Sequence, residues 1–496
     1  MPGQRRSTLS HTTQNRQVLQ GTKNIMIKKF VKEALAGKID LVEYAQKALE
    51  EAEKINKEYH YFTAFADVVE RAKELQEQVK NGTAKGKLFG VLISVKDSIC
   101  TKGIETTATS AILKGYKPLY NATVIQKCLD EGAIILGKTT IDEFGFGGFS
   151  TNVGIGYQKP LNPADKKRAT GGSSGGAAGI TKKATFPHIA FGESTGGSIV
   201  NPASFCGVVG LCPTYGRVSR YGLLDYGNSL DKIGTMGLTV EDAALLLEVV
   251  AGKDEKDSTT ADIPTAQYSE TPAAINGLKI GIVKEAYAEG IDNNVRKTVL
   301  EAVYKLEQKG ARKLEISLPI SMNYGIPTYF TLAPAEASTN LAKYCGMRYG
   351  ASEQLTGSYN EYFSRVRNNN FGEEAKRRIL LGTFARMAGY RDALYNKAAK
   401  VRTKIIHEYK HAFEQVDVII TPTVAITAPT FEEIKKLTPL QNFMIDLLTV
   451  SPNLAGLPHI TIPCGEANGM PVGMMIIGPH FAEQKIIQVA KAYAHQ

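Results

Sequence analysis

Short apolar runs alternate with helix-like segments along most of this chain, and this alternation is the feature that most constrains its fold. Apolar runs of this length suit strands that are buried on both faces of a sheet. The predicted strands lie at 91–95, 133–136, 188–191, 278–283, 314–318, 416–420, 459–462 and 474–477. Strands that alternate with helices build open sheets. We therefore predict an α/β fold in which helices cover both faces of one sheet.

The segments between the predicted strands carry helix and loop signals. Residues 25–58 show apolar spacings of three and four after a break at Gly37, and residues 122–131 form a second predicted helix. Residues 373–415 are predicted to be helical and are rich in basic side chains. Residues 253–276 are polar and contain two prolines, which predicts an exposed loop.

Composition limits the classes of protein to which the chain can belong. Its 496 residues include six cysteines, none in a CxxC pair, which favours reduced thiols and a cytoplasmic protein. No apolar run reaches the roughly 18 residues needed to span a bilayer. The net charge of +10 permits a nucleic-acid partner, but it is spread along the chain, and a solvated basic surface is the commoner interpretation.

Residues 1–25 contain arginines but no acidic residue, so they resemble a transit peptide, a disordered tail, or a segment ahead of a true start at Met26. We favour the last two interpretations.

Two glycine-serine segments and one lysine carry the chemistry. The first segment runs over 170–176 and contains Ser173, the second runs over 195–198 and ends at Ser198, and Lys96 ends an apolar run upstream. Glycine-serine stretches are usually linkers, but apolar segments flank both of these. Glycines let backbone N–H groups approach a developing oxyanion, and a buried lysine can activate a serine. Hydrolysis of an amide is therefore the leading hypothesis.

Other motifs in the chain are weaker. Residues 132–139 match a phosphate-binding loop, but their apolar centre favours a buried strand. Residues 171–175 match a Gly-x-Ser-x-Gly elbow without the strand that should precede it, and His188 and His459 lie in apolar runs typical of core histidines. No pattern indicates a metal site.

The run from Gly171 through Ser198 to Arg220 resembles the amidase signature family. The resemblance implies the amidase signature fold, one large mixed β-sheet covered by helices on both faces, with residues 26–496 as a single domain. It also implies a Ser–Ser–Lys triad. Ser198 takes the position of the nucleophile, Ser173 that of the bridging serine after a cis peptide bond, and Lys96 that of a buried, uncharged base. The backbone amides of Thr195, Gly196 and Gly197, with that of Ser198, would then hold the oxyanion.

The resemblance is closest to the branch of that family that supplies ammonia within tRNA-dependent amidotransferases. In that branch a tyrosine, an arginine and an aspartate hold the substrate glutamine. The matching residues are Tyr329, Arg378 and Asp446, with Arg377 a less favoured alternative to Arg378. The resemblance implies partner subunits of the B and C types and a misacylated tRNA reached through the complex. It implies no cofactor on this chain and ATP and magnesium at the B subunit. Whether the tRNA carries Glu or Asp stays open.

The chain departs from the family pattern beside the nucleophile. The family has Ser-Asp-Thr-Gly-Gly-Ser-Ile-Arg where this chain has Glu193-Ser194 at the start and Val200 at the end. Two alternatives therefore stay open: a stand-alone amidase acting on another small amide, and a scaffold subunit with weakened catalysis. An amino-acid clamp formed by Arg378 and Asp446 would argue against the stand-alone amidase.

Overall fold

The computed structural model describes residues 27–495, so the predictions for residues 1–25 and for a start at Met26 lie outside the described residues. Eleven strands form one sheet: β1 Phe62–Phe65, β2 Leu92–Lys96, β3 Ile134–Thr139, β4 His188–Ser194, β5 Val209–Cys212, β6 Lys232–Gly237, β7 Lys279–Val283, β8 Arg312–Ile316, β9 Val418–Pro422, β10 His459–Ala467 and β11 Met470–Ile477.

Sixteen α-helices accompany the sheet within the same residues. They are α1 Ile27–Leu35, α2 Leu41–Tyr59, α3 Val68–Lys80, α4 Thr123–Asp130, α5 Gly175–Lys183, α6 Val200–Cys206, α7 Val240–Val250, α8 Asn293–Gln308, α9 Pro319–Asn340, α10 Tyr359–Asn370, α11 Glu373–Arg386, α12 Lys397–Ala412, α13 Phe431–Lys435, α14 Pro439–Phe443, α15 Val450–Leu454 and α16 Glu483–Ala494. No helix in this part of the chain combines the length and the hydropathy needed to cross a membrane.

The sheet is mixed, in the order β1-β3-β2-β4-β6-β5-β10-β11-β9-β7-β8. The strands β3, β2 and β4 run parallel to one another, as do β9, β7 and β8, and the remaining neighbours are antiparallel. Every residue of β2, β3, β4, β5, β6 and β9 is buried. Because successive side chains point to opposite faces, complete burial requires cover on both sides of the sheet. The predicted fold is confirmed.

Local sequence explains most boundaries of these elements. The side chain of Asp40 accepts hydrogen bonds from the amides of Val42 and Glu43, so it caps α2 and satisfies two of its free donors. The phosphate-loop-like segment at 132–139 forms β3, as its apolar centre predicted. The polar segment at 253–276 lacks strand and α-helix, in agreement with the predicted loop.

The basic region 373–415 is helical over most of its length, as predicted. The helix α11 ends at Arg386 and α12 begins at Lys397, and between them lie Gly389, with a positive φ of 92°, and a π-helical turn at Asp392–Asn396. The strands β1, β5 and β6 were not predicted. They are four to six residues long, and β6 reads Lys-Ile-Gly-Thr-Met-Gly, too mixed in polarity to stand out.

Candidate active site

Lys96 is the last residue of β2, and it lies beside β4 because these two strands are parallel neighbours. The lysine side chain is fully buried. Its Nζ donates a hydrogen bond to Ser173 Oγ at 2.7 Å and another to the backbone carbonyl of Glu193 at 2.8 Å. Ser173 is also completely buried, two residues before α5. The fold thus brings the predicted base into contact with the predicted bridging serine, 77 positions away in sequence.

The peptide bond between Gly172 and Ser173 is cis, as the resemblance implied. A side chain at position 172 is excluded, because a Cβ there would lie 2.2 Å from an Asp142 carboxylate oxygen. That carboxylate accepts hydrogen bonds from the amides of Ser150 at 3.0 Å and Asn152 at 2.8 Å. Burial raises the pKa of Asp142 to about 6.

Ser198 stands in the turn between β4 and α6 and is the most accessible of the three predicted catalytic residues, with 8% of its surface exposed. Its backbone amide donates to Ser194 Oγ at 3.1 Å. Among the hydrogen bonds of residues 27–495, none joins the hydroxyls of Ser198 and Ser173. Proton relay between these serines therefore needs a rotation about the Cα–Cβ bond of one of them, a change between staggered rotamers.

Three backbone amides in this turn are unpaired. The N–H groups of Thr195, Gly196 and Gly197 donate to no other group within residues 27–495, whereas that of Ser198 is taken by Ser194. Buried amides normally find a partner, so three free donors in one turn suit a ligand that carries developing negative charge. The predicted contribution of Ser198 to this set does not fit the observed hydrogen bonding.

A carboxylate that the sequence did not assign lies against the lysine. Glu193 Oε2 accepts a hydrogen bond from Lys96 Nζ at 2.9 Å, and the exposed fractions of the two side chains are 4% and 0%. The other oxygen, Oε1, lies 3.0 Å from the hydroxyl of Thr195, which lies 2.7 Å from Asp231 Oδ1. Burial, and then the charge of Glu193, raise the pKa of Asp231 well above its usual range.

Arg378 occupies a buried position on α11, while its neighbour Arg377 is half exposed at the rim of a cavity that both residues line. The exposed fractions of their side chains are 6% and 51%. The Arg378 guanidinium donates to Glu374 Oε1 at 2.9 Å and to the hydroxyl of Tyr226. The Tyr226 hydroxyl also accepts a hydrogen bond from Tyr329 at 3.4 Å. Two of the three predicted glutamine-binding residues are thus linked through a tyrosine that the sequence did not assign.

Arg378 also sits in an aromatic surrounding. Its guanidinium carbon lies between 5.1 and 5.9 Å from the centroids of Phe146, Tyr226, Phe330 and Phe443. Aromatic faces attract a cation and hold it away from bulk water. A positive charge fixed in this way can bind a carboxylate more strongly than one on the surface.

Asp446 carries the opposite charge at the same place. It is buried and accepts a hydrogen bond from Asn201 Nδ2 at 2.6 Å. Burial raises the pKa of Asp446 to about 6, although Asn201 and Arg378 both act to lower it. Arg378 and Asp446 both line a cavity of about 320 Å³, and none of the three predicted triad residues lines it.

Tyr329 does not line this cavity, but two contacts connect Arg378 and Asp446 to the turn that carries Ser198. The hydroxyl of Tyr329 lies over Gly196, where a Cβ would be 3.1 Å from it. Asn201, which holds Asp446, packs against Gly197 so closely that a Cβ there would lie 2.5 Å from its Nδ2. The opposite charges and the nucleophile turn are therefore adjacent parts of one site.

The departures from the family pattern have visible structural roles. Ser194 accepts the amide hydrogen of Ser198, and Val200 is fully buried in α6. The sequence analysis predicted no role for Glu193 or Tyr226. Glu193 could have been noticed, since it stands where the family pattern has serine. Tyr226 gives no local signal, since it lies 152 positions from Arg378. Across residues 27–495, no group of three or more His, Cys, Asp or Glu residues could hold a metal ion.

The fold, together with a buried lysine in contact with a buried serine, defines a class: enzymes that cleave amides. Comparison with known proteins gives the family. The family described as Amidase matches residues 41–487, and the chain belongs to it.

Relatives within the family share a name. The A subunit of the glutamyl-tRNA(Gln) amidotransferase from Cyanothece sp. (strain PCC 7425 / ATCC 29141) is 45% identical over 456 residues, covering 91% of this chain and 93% of that protein. The protein of the same name from Geobacillus kaustophilus is 47% identical over 424 residues, covering 85% and 86%. The crystal structure of the corresponding protein from Thermotoga maritima superposes with a TM-score of 0.78 at 35% identity, and covers 95% of each chain.

Proposed function

We propose that this chain is the glutamine amidohydrolase subunit of a tRNA-dependent amidotransferase. It releases the ammonia that converts Glu-tRNA(Gln) to Gln-tRNA(Gln), Asp-tRNA(Asn) to Asn-tRNA(Asn), or both. The observation that carries the proposal is the pair of opposite buried charges, Arg378 and Asp446, next to the Ser198 turn. Free glutamine has an α-carboxylate and an α-ammonium that match this pair, whereas a simple amide has neither. The relatives named above carry the amidotransferase activity in their names.

The geometry supports a two-step reaction. Arg378 binds the α-carboxylate, Asp446 the α-ammonium, and the Tyr329 hydroxyl orients the side-chain amide beside Gly196. Ser198 Oγ attacks the carboxamide carbon while its proton passes through Ser173 to an uncharged Lys96. The oxygen of the tetrahedral intermediate accepts hydrogen bonds from the amides of Thr195, Gly196 and Gly197. A single donor of this kind typically lowers the barrier by about 2.7–4 kcal/mol.

Collapse of that intermediate breaks the carbon–nitrogen bond. The lysine returns its proton through Ser173 to the leaving nitrogen, ammonia departs, and a γ-glutamyl ester remains on Ser198. Water then attacks the ester by the same route and frees glutamate, which restores the serine hydroxyl. Each step transfers one proton, and the network of Lys96 and Ser173 holds it between steps.

The ammonia needs an acceptor that this chain does not provide. We propose that a B subunit binds the misacylated tRNA and activates its carboxylate with ATP and magnesium, and that a C subunit completes a heterotrimer. Because aminoacyl-tRNA is the substrate in this proposal, we place the complex in the cytoplasm.

The test is glutaminase activity of the complex purified with co-expressed B- and C-type subunits. We expect glutamate to form from glutamine, and amidated aminoacyl-tRNA to form when ATP and misacylated tRNA are added. In the Ser198→Ala variant ammonia release should fall by at least about 10⁴-fold, toward the level left when a catalytic nucleophile is removed, while the subunits still co-purify. Ser204→Ala, a nearby buried serine outside the site, is the matched control. Undiminished ammonia release by the Ser198 variant would exclude Ser198 as the nucleophile.

A further inference from the structure

The Lys96–Glu193 contact is a feature of this chain that the reaction scheme above does not use. Nζ of Lys96 has three partners: the Ser173 hydroxyl, the Glu193 carbonyl and the Glu193 carboxylate, at 2.7, 2.8 and 2.9 Å. Residue 193 thus supplies two of the three groups that fix the amine. The family pattern has serine at this position, so the carboxylate is a departure of this chain from that pattern.

We infer that Glu193 is a positioning residue whose carboxylate holds the Lys96 amine against Ser173 Oγ, so that its loss alters the pH profile of the reaction at Ser198. The inference rests on the proposed function of Lys96. A carboxylate within hydrogen-bond distance stabilises the charged form of an amine, and the effect is larger in a buried site. Removing the carboxylate takes away an opposite charge beside the amine, so a variant at position 193 should change the pH profile of the reaction as well as its rate. The same carboxylate directs Nζ toward Ser173 Oγ.

Hydrogen bonding shows how the carboxylate itself is held. Glu193 Oε2 accepts from Lys96, and Oε1 faces the Thr195 hydroxyl at 3.0 Å. That hydroxyl has one hydrogen but also lies 2.7 Å from Asp231 Oδ1. Both contacts are hydrogen bonds if Asp231 is protonated and donates to Thr195, which then donates to Glu193. Burial raises the pKa of Asp231 and so disfavours its charge, consistent with this arrangement.

The remaining titratable groups near the pair do not replace the charge of Glu193. Asp231 and Cys212 both interact with Glu193, and burial raises the pKa of each, which disfavours a negative charge on either group. Asp142, which interacts with Lys96, has a pKa raised to about 6 by burial. Its contribution is common to every variant at position 193, so a comparison of variants isolates Glu193.

The experiment compares the pH dependence of the nucleophile in the wild-type protein, Glu193→Gln and Glu193→Ser. Glutamine keeps the size and a hydrogen-bond acceptor but not the charge, and serine restores the family residue. Two readouts are used in the complex: kcat/KM for glutamine, and the rate at which a fluorophosphonate labels Ser198, followed by mass spectrometry. The control is Glu248→Gln, which removes a largely buried carboxylate paired with Lys87 at 2.7 Å, away from the site.

In both Glu193 variants we expect the acidic limb of the labelling profile, which does not depend on glutamine capture by Asp446, to move to lower pH by roughly 1–3 units, the usual effect of losing one adjacent opposite charge. The kcat/KM profile keeps the additional acidic fall that Asp446 causes. The Glu248 variant should follow the wild type. Labelling does not need glutamine turnover, so a wild-type complex that is labelled but does not hydrolyse glutamine would refute the proposed function alone. A labelling profile whose acidic limb stays in place in both folded Glu193 variants would overturn the role inferred for Glu193.

Discussion

Lowering the pH from 7 to 5 should weaken glutamine capture through one residue, Asp446. The group must be ionised to bind the α-ammonium, and burial raises its pKa to about 6. At this value about nine-tenths of the free protein carries the charge at pH 7 and about one-tenth at pH 5. Because kcat/KM reports ionisations of the free enzyme, the share that can bind glutamine falls roughly tenfold over this interval.

The assay separates Asp446 from the other acidic groups by the choice of substrate. kcat/KM is measured between pH 5 and 8 for glutamine and for an analogue in which hydrogen replaces the α-ammonium. Ionisations of the chemical machinery, including those of Lys96 and Asp142, affect both substrates, so the ratio of the two constants isolates the contact with Asp446. We expect this ratio to fall roughly tenfold from pH 7 to pH 5.

The variant Asp446→Asn supplies the control. It keeps the shape and the ability to accept a hydrogen bond but has no ionisation, so the ratio should be low and independent of pH. If the ratio for the wild-type complex stays constant down to pH 5, Asp446 does not bind the ammonium as a carboxylate with the raised pKa, and the proposed clamp is wrong.

Further predictions concern α11, which carries the arginine of the clamp. Arg378→Ala should raise KM for glutamine roughly 10–150-fold, the loss expected for charged hydrogen bonds. Arg377 lines the same cavity but is half exposed to solvent, so Arg377→Ala should change KM by less than about threefold. Equal effects of the two substitutions in steady-state kinetics would argue against Arg378. Gly382→Ala should destabilise the fold by roughly 1–3 kcal/mol or more, since its Cβ would lie 1.8 Å from the carbonyl oxygen of Pro334 on α9. Thermal unfolding checks this, and an unchanged melting temperature would contradict the close packing of α9 and α11.

The fold was largely predictable because its central strands are local patterns. The runs that became β2, β3 and β7 are apolar over most of their length, since both faces are buried, and such runs need no information from elsewhere in the chain. The strand β5 escaped prediction because it has only four residues, and β6 because it is mixed in composition. Their strand conformation depends on the neighbours with which they pair.

The residues of the candidate site also divide into those that a short stretch of sequence reveals and those that only the folded chain reveals. Lys96, Ser173 and Ser198 were singled out from sequence, because glycines beside a serine and a lysine at the end of a buried run are recognisable in short segments, and the resemblance to the amidase signature family implied their roles. The roles of Tyr226 and Glu193 were not predicted from the sequence. A tyrosine or a glutamate in a loop or strand has many possible partners, and only the folded chain selects one.

By itself, the sequence determined that this chain forms an α/β sheet and has the side chains for serine-based amide cleavage, since periodicity and glycine content act over a few residues. Only the tertiary structure decided what surrounds those side chains. It placed a carboxylate 2.9 Å from the Lys96 amine across 97 positions of sequence and put opposite charges, Arg378 and Asp446, at one cavity. The physical reason is that charge–charge interactions and burial depend on distances in space, which are set when distant strands and helices pack together.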